Sequence, residues 1–243
     1  MKAARAVIFC ALPLTLGGCN WLEEESTRPE TAREFPQASR PVAPADSTRF
    51  SDEESRDKLN EADDVMARAG LEPGMTVADI GAGDGYYTVR LATKVGANGR
   101  VLAQDIQPKV IERLADRVAR EQLDNVSIKL GAEDDPRLPA NSFDRVFLIH
   151  MYHEIGEPYA LMWRLRPALR KGGEVVIVDA DRPTNQHGTP PKLLFCELEA
   201  VGYKLVSFAE NPNIGGYFAR FVADGERPEP SQIKPCDATA VAQ

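Results

Sequence analysis

Three glycines at alternate positions, Gly81, Gly83 and Gly85, constrain the fold of this chain more than any other feature of its sequence. The apolar residues from Val77 to Ile80 are typical of a short buried strand, and the residues after Gly85 have the spacing of an amphipathic helix. A strand, a glycine turn and a helix form the unit with which a doubly wound α/β fold presents a nucleotide-like ligand. Glycine permits the sharp turn and a close approach of backbone to ligand, and the helix directs unpaired N–H groups toward it.

The spacing of the glycines distinguishes two kinds of nucleotide site. A dinucleotide fingerprint reads G-x-G-x-x-G, and Tyr86 stands where its third glycine would be. The pattern here is Asp-x-Gly-x-Gly-x-Gly, starting at Asp79, and it resembles motif I of the class I S-adenosylmethionine-dependent methyltransferases, in particular their small-molecule branch. That resemblance implies that Gly81, Gly83 and Gly85 bind the cofactor and that Asp79 holds its methionine amino group, directly or through water. A dinucleotide site, or a glycine turn without a ligand, stays open at this point.

Composition narrows the class of protein. The chain has 243 residues, of which 43% are hydrophobic, which suits one ordinary domain with extensions and is too low for a multi-span membrane protein. The net charge is −8, and no basic stripe is visible. Sequence-independent binding of nucleic acid depends on such a stripe, so we expect no nucleic-acid partner.

The first 18 residues have the features of a signal peptide. Lys2 and Arg5 precede an apolar run over residues 6–16, which is too short to span a bilayer. The letters L-G-G-C that end at Cys19 resemble the bacterial lipobox, which implies cleavage before Cys19 and attachment of a lipid to it. A plain secretory peptide is the alternative. The predicted location is the cell envelope, with a lipid anchor in the membrane, and Asn20 favours the outer membrane if the source is Gram-negative.

The rest of the chain divides into three parts. Residues 19–50 are polar and rich in Pro, Ser and Glu, which predicts a disordered tether. Residues 51–223 form the predicted methyltransferase domain, and residues 224–243 form a predicted flexible tail. Cys196 and Cys236 would remain after export. They could form a disulfide in an oxidising compartment, or they could stay separate as a thiol in a helix and a thiol in the tail.

Apolar periodicity predicts alternating helices and strands within the domain. A helix is expected over 51–69, and strands are expected over 75–80, 100–105, 126–130, 143–149, 174–179, 203–209 and 217–222. The short connection over 211–216 predicts that the last two strands pair antiparallel. By resemblance, such a late hairpin is a hallmark of methyltransferases and is not expected of a dinucleotide half-domain. The implied architecture is a doubly wound, Rossmann-like α/β sheet in the order 3-2-1-4-5-7-6.

An acidic residue ends the second predicted strand. Asp105 follows Gly85 by about twenty residues, the separation at which nucleotide-binding α/β folds place a carboxylate on ribose hydroxyls. Two adjacent hydroxyls can donate to its two oxygens. We therefore assign Asp105, together with the following Ile106, to the cofactor site. An ordinary loop aspartate is the alternative.

The stretch 131–144 resembles the methyltransferase segment that leads into the fourth strand. In the family an acidic residue directly after the glycine binds the adenine amino group, but Ala132 occupies that place here. We expect Glu133 and Asp134 to border the adenine, with the amino contact made by one of them or by water.

Two histidines follow the fourth predicted strand. His150, His153 and Glu154 stand at its carboxyl end, where open α/β sheets bind their ligands. Either His150 or His153 could act as a general base, since imidazole titrates near neutrality. A structural cap is a second reading. A metal site is a third, but further ligands are not evident nearby, and no metal is predicted. His187, in the loop over 181–191, is a candidate to close over substrate or an ordinary surface residue.

These expectations combine into one functional prediction, which is methyl transfer from S-adenosylmethionine to a small-molecule or exposed side-chain acceptor by in-line displacement. The acceptor itself cannot be read from the sequence. S-adenosylmethionine is made in the cytoplasm, whereas the leader predicts export. A non-catalytic envelope lipoprotein that binds S-adenosylmethionine or a related nucleoside is therefore the main alternative. A purely structural lipoprotein is disfavoured by the retained motif residues.

Overall fold

A seven-stranded sheet in the order β3-β2-β1-β4-β5-β7-β6 forms the centre of the protein. A computed structural model describes residues 28–44, 52–211 and 215–237. The strands are β1 (Thr76–Ile80), β2 (Arg100–Asp105), β3 (Val126–Leu130), β4 (Phe143–Ile149), β5 (Leu169–Asp179), β6 (Tyr203–Asn211) and β7 (Gly216–Ala223). The first five strands pair in parallel, and β7 lies antiparallel between β5 and β6. The predicted doubly wound fold and strand order are confirmed.

Helices bury the two apolar faces of this sheet. They are α1 (Glu53–Lys58), α2 (Glu61–Arg68), α3 (Tyr86–Val95), α4 (Pro108–Arg120), α5 (Pro158–Leu165) and α6 (Pro191–Ala200). Strand β4 illustrates the arrangement, because Val146 and Leu148 belong to the core cluster that includes α5 and α6. Phe147 and Ile149 belong instead to the cluster that includes α2 and α3. Side chains alternate between the faces of a strand, so a strand covered on both faces is apolar throughout.

The helix predicted over 51–69 is two helices, and the expectation of one continuous helix is wrong. Asn60 lies between α1 and α2 with a left-handed φ of 54°. Asparagine adopts this conformation more readily than most residues, and a helix cannot continue through it. The next residue, Glu61, is buried at 3% exposure. The break therefore changes the direction of the chain just before a buried carboxylate.

The segment 28–44, here called the arm, packs against the domain. Phe35 is 2% exposed, and its ring meets that of Trp163 edge-on with the centroids 5.4 Å apart. Arg40 and Glu197 form an ion pair with an Nε–Oε1 distance of 2.8 Å, and both side chains are fully shielded from solvent. A buried charged group needs such a partner, and here the partner comes from α6.

The packing of the arm corrects the prediction of a disordered tether over 19–50. Composition favoured disorder because the segment is polar, yet one aromatic side chain and a few charged partners suffice to attach it. The other residues of that tether, 19–27 and 45–50, lie outside the described residues. The predicted signal peptide and Cys19 lie outside them too.

The tail is also attached to the domain. Cys196 of α6 and Cys236 form a disulfide with their Cα atoms 6.1 Å apart, and Ile233 is buried. Residues 224–237 therefore differ from the predicted flexible tail, while 238–243 lie outside the described part. Among the residues that the structure describes, no helix combines the length and the apolar character needed to cross a bilayer.

Candidate functional site

A cavity of about 710 Å³ lies at the carboxyl ends of β1, β2 and β4. This is the place where doubly wound sheets bind ligands, and the volume is in the usual range for small-molecule sites. The lining comes from the glycine turn after β1, the end of β2 with the first turns of α4, the residues after β3, the end of β4 with the residues that follow it, helix α1 and the arm. The arm contributes Val42 and Ala43, and α1 contributes Glu53 and Arg56.

The glycine turn requires glycine for two different reasons. Gly81 and Gly83 line the cavity with φ values of 68° and 54°, in the left-handed region that side chains disfavour. Gly83 has open space where a side chain would be. Gly85 also has a positive φ, of 88°, but it is not part of the lining. A Cβ on Gly85 would lie 2.7 Å from Leu114, so its small size permits α3 and α4 to pack.

Asp105 occupies the position predicted for a ribose-binding carboxylate. It lines the cavity, is 8% exposed, and accepts backbone N–H groups from Gly83 at 3.2 Å and Gln107 at 3.0 Å. These two bonds fix the carboxylate against the glycine turn, and a carboxylate has further lone pairs for a ligand. Ile106 also lines the cavity and is 39% exposed, which leaves an apolar surface beside the carboxylate.

Asp79 lies beneath the glycine turn and outside the cavity lining. It is 3% exposed, and its carboxylate accepts a hydrogen bond of 2.6 Å from the Thr88 hydroxyl. Burial raises the pKa of Asp79 to about 6, against the opposing effect of the Thr88 hydrogen bond. Any contact of Asp79 with a ligand therefore has to pass through the turn or through water.

The two acidic residues predicted to border adenine have different places. Glu133 is exposed and lines the cavity. Asp134 is 2% exposed, accepts a hydrogen bond of 2.6 Å from Thr31 of the arm, and forms an ion pair with Arg164 of α5. The carboxylate of Asp134 is thus engaged in attaching the arm. Asp134 is also absent from the cavity lining, so its predicted place beside the adenine stays a prediction.

His150 lines the cavity directly after β4. Its φ of 55° is unusual for a residue with a side chain, and the side chain is buried. The imidazole Nε2 lies 3.2 Å from Oε1 of Glu61. The same carboxylate accepts hydrogen bonds from Arg56 at 2.7 Å and from the Tyr87 hydroxyl at 3.0 Å. Glu61 therefore connects α1, α3 and the end of β4.

Glu61 was not predicted from the sequence as a residue of the site. Burial alone would raise the pKa of Glu61, but the hydrogen bonds from His150 and Arg56 outweigh it and lower the pKa to about 2. The carboxylate is therefore ionised across the physiological range. One signal was available, since Glu61 precedes the buried Val65 by four residues and hence shares its helix face.

His153 lies deeper than His150 and does not line the cavity. It is 1% exposed, and its Nδ1 lies 2.9 Å from Oδ1 of Asp179 at the end of β5. The loop histidine His187 stands nearby, with the two ring centroids 5.5 Å apart. Glu154 is between this pair and the site, because it lines the cavity and also lies 3.8 Å from Nε2 of His153.

Comparison with protein families identifies a match over most of the domain. A family model described as a methyltransferase domain matches residues 71–202. A ubiquinone/menaquinone biosynthesis C-methyltransferase of Hahella chejuensis is 26% identical over 181 residues, which are 69% of this chain and 66% of that protein. An arsenite methyltransferase of Halobacterium salinarum is 29% identical over 134 residues, which are 54% of this chain and 34% of that protein. The chain thus spans about one third to two thirds of these relatives.

Solved structures confirm the fold. The crystal structure of an S-adenosylmethionine-dependent methyltransferase from Aquifex aeolicus aligns with a TM-score of 0.68 at 24% identity. The alignment covers 74% of this chain and 98% of that chain. At this identity the likeness establishes the architecture alone.

Proposed function

Because this chain belongs to the methyltransferase domain family, we propose that it transfers a methyl group from S-adenosylmethionine to a small-molecule or exposed side-chain acceptor. One observation carries the proposal. A single cavity is lined both by the elements of a nucleotide site, Gly81, Gly83 and Asp105, and by the potential base His150. A cofactor and an acceptor held in this cavity would therefore be in contact with each other.

The residues present fit S-adenosylmethionine, the cofactor of this family. Asp105 would accept hydrogen bonds from the ribose hydroxyls, and Ile106 and Glu133 would border the adenine. The backbone of Gly81 and Gly83 would permit close approach of the methionine part, with Asp79 beneath it. When bound, this cofactor supplies a methyl group on a positively charged sulfur that is already activated for displacement.

The residues of this chain contribute to the chemistry in two ways. They align the acceptor with the methyl group, and they accept a proton from the acceptor where it must lose one. In-line displacement requires the acceptor atom to face the methyl group in a site that excludes water. Where the acceptor must lose a proton, we assign that step to His150, which lines the cavity. The ionised Glu61 carboxylate, 3.2 Å from the imidazole, would stabilise the imidazolium that forms. His153 is the alternative base, because Oδ1 of Asp179 lies 2.9 Å from its Nδ1 and could stabilise its imidazolium in the same way.

The acceptor side of the cavity suggests a substrate class. Met151, Ile155, Leu161 and Val42 contribute apolar surface near the end of β4. We propose an acceptor with an apolar, flat body and an ionisable hydroxyl, thiol or amine. A relative of this chain is a C-methyltransferase of ubiquinone and menaquinone biosynthesis, so an acceptor carbon on such a body is the alternative to these three groups.

Calorimetric titration of the full chain with S-adenosylmethionine, and separately with its demethylated product, tests the proposal. We expect micromolar binding of both ligands, a loss of at least about tenfold in Asp105→Asn, and no change in Asp124→Asn, an exposed carboxylate remote from the cavity lining. Release of the demethylated product in the presence of candidate acceptors then tests catalysis. Absence of binding to either ligand would overturn the proposal.

A second candidate function is non-catalytic binding of S-adenosylmethionine or a related nucleoside in the cell envelope. The Cys196–Cys236 disulfide favours it, since disulfides persist in oxidising compartments, where the cofactor is not made. Ligand binding without turnover on any acceptor would support this candidate. We also propose that Cys19 carries a lipid anchor, as the lipobox resemblance implies, and intact-mass spectrometry of the protein purified from membranes tests it.

A further inference from the structure

Three side chains beside the cavity form a cluster, and only one of them, His153, has a role in the proposed methyl transfer, as the alternative base. His153, Glu154 and His187 each offer one ligand atom, and these atoms lie within 4.8 Å of one another. We propose that they bind a divalent transition-metal ion of the zinc class in the wall of the cavity. The proposal does not depend on methyl transfer, because the site is defined by these three side chains alone.

The distances within the cluster suit ligands of a common ion better than direct partners. Nε2 of His153 lies 3.8 Å from Oε1 of Glu154, which is beyond hydrogen-bond length. A tetrahedral zinc ion with bonds of about 2.1 Å separates its ligand atoms by about 3.4 Å. The ligand atoms of the cluster, all within 4.8 Å of one another, are close to that spacing.

Asp179 prepares His153 for metal binding. Its Oδ1 lies 2.9 Å from Nδ1 of His153, which places the other ring nitrogen, Nε2, toward Glu154. The carboxylate is itself fixed, because it accepts hydrogen bonds of 2.8 Å from the Thr189 hydroxyl and from the backbone N–H of Ala180. A carboxylate behind a ligating histidine sets its tautomer and orientation in metal sites. The arrangement is therefore that of a ligand with its supporting partner.

The loop that carries His187 is held in place by contacts at both ends. Thr184 donates a 2.6 Å hydrogen bond to the carbonyl of Pro41 in the arm, and the backbone N–H of Thr189 donates to the carbonyl of Ala180 at 2.8 Å. His187 has a left-handed φ of 58°, a conformation that is uncommon for residues other than glycine. Such a conformation is typical of functional sites where the surroundings impose the geometry.

A buried nitrogen of His187 supports the same conclusion. Within the ranges that the structure describes, Nδ1 of His187 is shielded from solvent and has no hydrogen-bond partner. A buried polar atom without a partner is costly, and each one in a native protein calls for an explanation. A metal ion would supply that explanation if it binds the ring through Nδ1.

The ligand set also indicates the class of ion. Two imidazoles and one carboxylate suit Zn²⁺, Co²⁺ or Fe²⁺ rather than Ca²⁺ or Mg²⁺, which prefer oxygen ligands. Three protein ligands leave a coordination position open. Glu154 also lines the cavity, so a small molecule bound there could reach the ion.

Metal titration of the full chain tests the site. The protein is purified with any affinity tag removed, stripped with a chelator, dialysed and titrated with Zn²⁺ and Co²⁺. We expect one equivalent to bind with a micromolar or lower Kd, and visible Co²⁺ absorption bands to report nitrogen and oxygen coordination. His187→Asn should weaken binding by at least about tenfold. Asparagine tolerates the left-handed conformation, so this variant should keep its fold.

Two further variants complete the experiment. Glu154→Gln should weaken binding as His187→Asn does, while Asp181→Asn, which alters an exposed carboxylate in the same loop, should bind like the parent protein. Failure of the parent protein to bind either ion at 100 μM, taken as about a hundred times the expected Kd, would overturn the proposal. Binding that His187→Asn leaves unchanged would overturn it as well, because the ion would then be held elsewhere. Neither outcome bears on the calorimetric test of cofactor binding.

Discussion

The two sides of the cavity are built in different ways. The side assigned to the cofactor consists of the glycine turn and the end of β2, whose lining residues fall between Ile80 and Gln107, with Glu133 beside them. The acceptor side combines the arm, α1 and the residues after β4, which are far apart in the chain, and the loop that carries His187 lies behind it, next to Glu154. One side is thus a local sequence motif, and the other is formed by tertiary contacts. This difference determines which residues can be predicted from the sequence. It also determines how much stability a mutation on each side should cost.

The largest effect is expected on the acceptor side, at Glu61. Replacement by Gln removes the buried negative charge that pairs with Arg56, and it weakens the bonds to His150 and Tyr87. Removing one partner of a buried ion pair costs about 3–5 kcal/mol. We expect Glu61→Gln to lower the free energy of unfolding by about that amount in a urea titration at pH 7.

The matched control for Glu61 is Glu54→Gln, since Glu54 is an exposed carboxylate of α1 that pairs with the exposed Lys58. Its effect should be below about 1 kcal/mol. Similar losses in the two variants would mean that Glu61 does not join α1 to the site. The acceptor side would then not depend on contacts between distant parts of the chain at Glu61.

The cofactor side was predictable because its signals are local. Glycine at a positive φ, as at Gly81 and Gly83, and a carboxylate at the end of the next strand each have a fixed position relative to the turn. Sheet order and the terminal hairpin followed from the resemblance and from the short connection before β7. Residues that lie close together in the sequence were therefore enough to predict the cofactor side of the cavity.

The acceptor side was only partly predictable, because its contacts join distant residues. The positions of His150 and His153 at the end of β4 were readable, but their partners Glu61 and Asp179 were not. Composition assigned the arm to disorder, although Arg40 finds its partner Glu197 on a helix near the other end of the chain. A polar segment held by specific pairs has no periodic pattern that could identify it.

A smaller effect is expected at Asp79, on the cofactor side, and it depends on pH. The pKa of this carboxyl is raised from 3.8 to about 6. Between pH 3.8 and 6 the Asp79 carboxyl holds a proton in the folded protein that it has lost in the unfolded chain. The contribution of Asp79 to the free energy of unfolding is therefore complete below pH 3.8 and is lost as the pH rises through 6. Relative to Asp79→Asn, we expect the wild-type free energy of unfolding to fall by about 2 kcal/mol between pH 4.5 and 7.5.

Urea titrations of both proteins at the two pH values measure this difference. Asparagine keeps the size of the side chain and can still accept the hydrogen bond from Thr88, so packing changes little. A pH-independent difference between the two proteins would show that Asp79 is ionised without penalty. In that case its burial beneath the turn would have no electrostatic cost.

The smallest effects are expected at the neighbouring residues Glu133 and Asp134, and they test where the cofactor side ends. Glu133 faces the cavity, whereas Asp134 is committed to Thr31 and Arg164. Glu133→Gln should weaken S-adenosylmethionine binding by about threefold to tenfold, the value of one partly exposed hydrogen bond. Asp134→Asn should leave the Kd within about twofold but lower the melting temperature, because it loosens the arm. A greater loss of affinity in Asp134→Asn than in Glu133→Gln would support the predicted contact between Asp134 and the adenine. The arm, which binds Asp134 through Thr31, would then belong to the cofactor side.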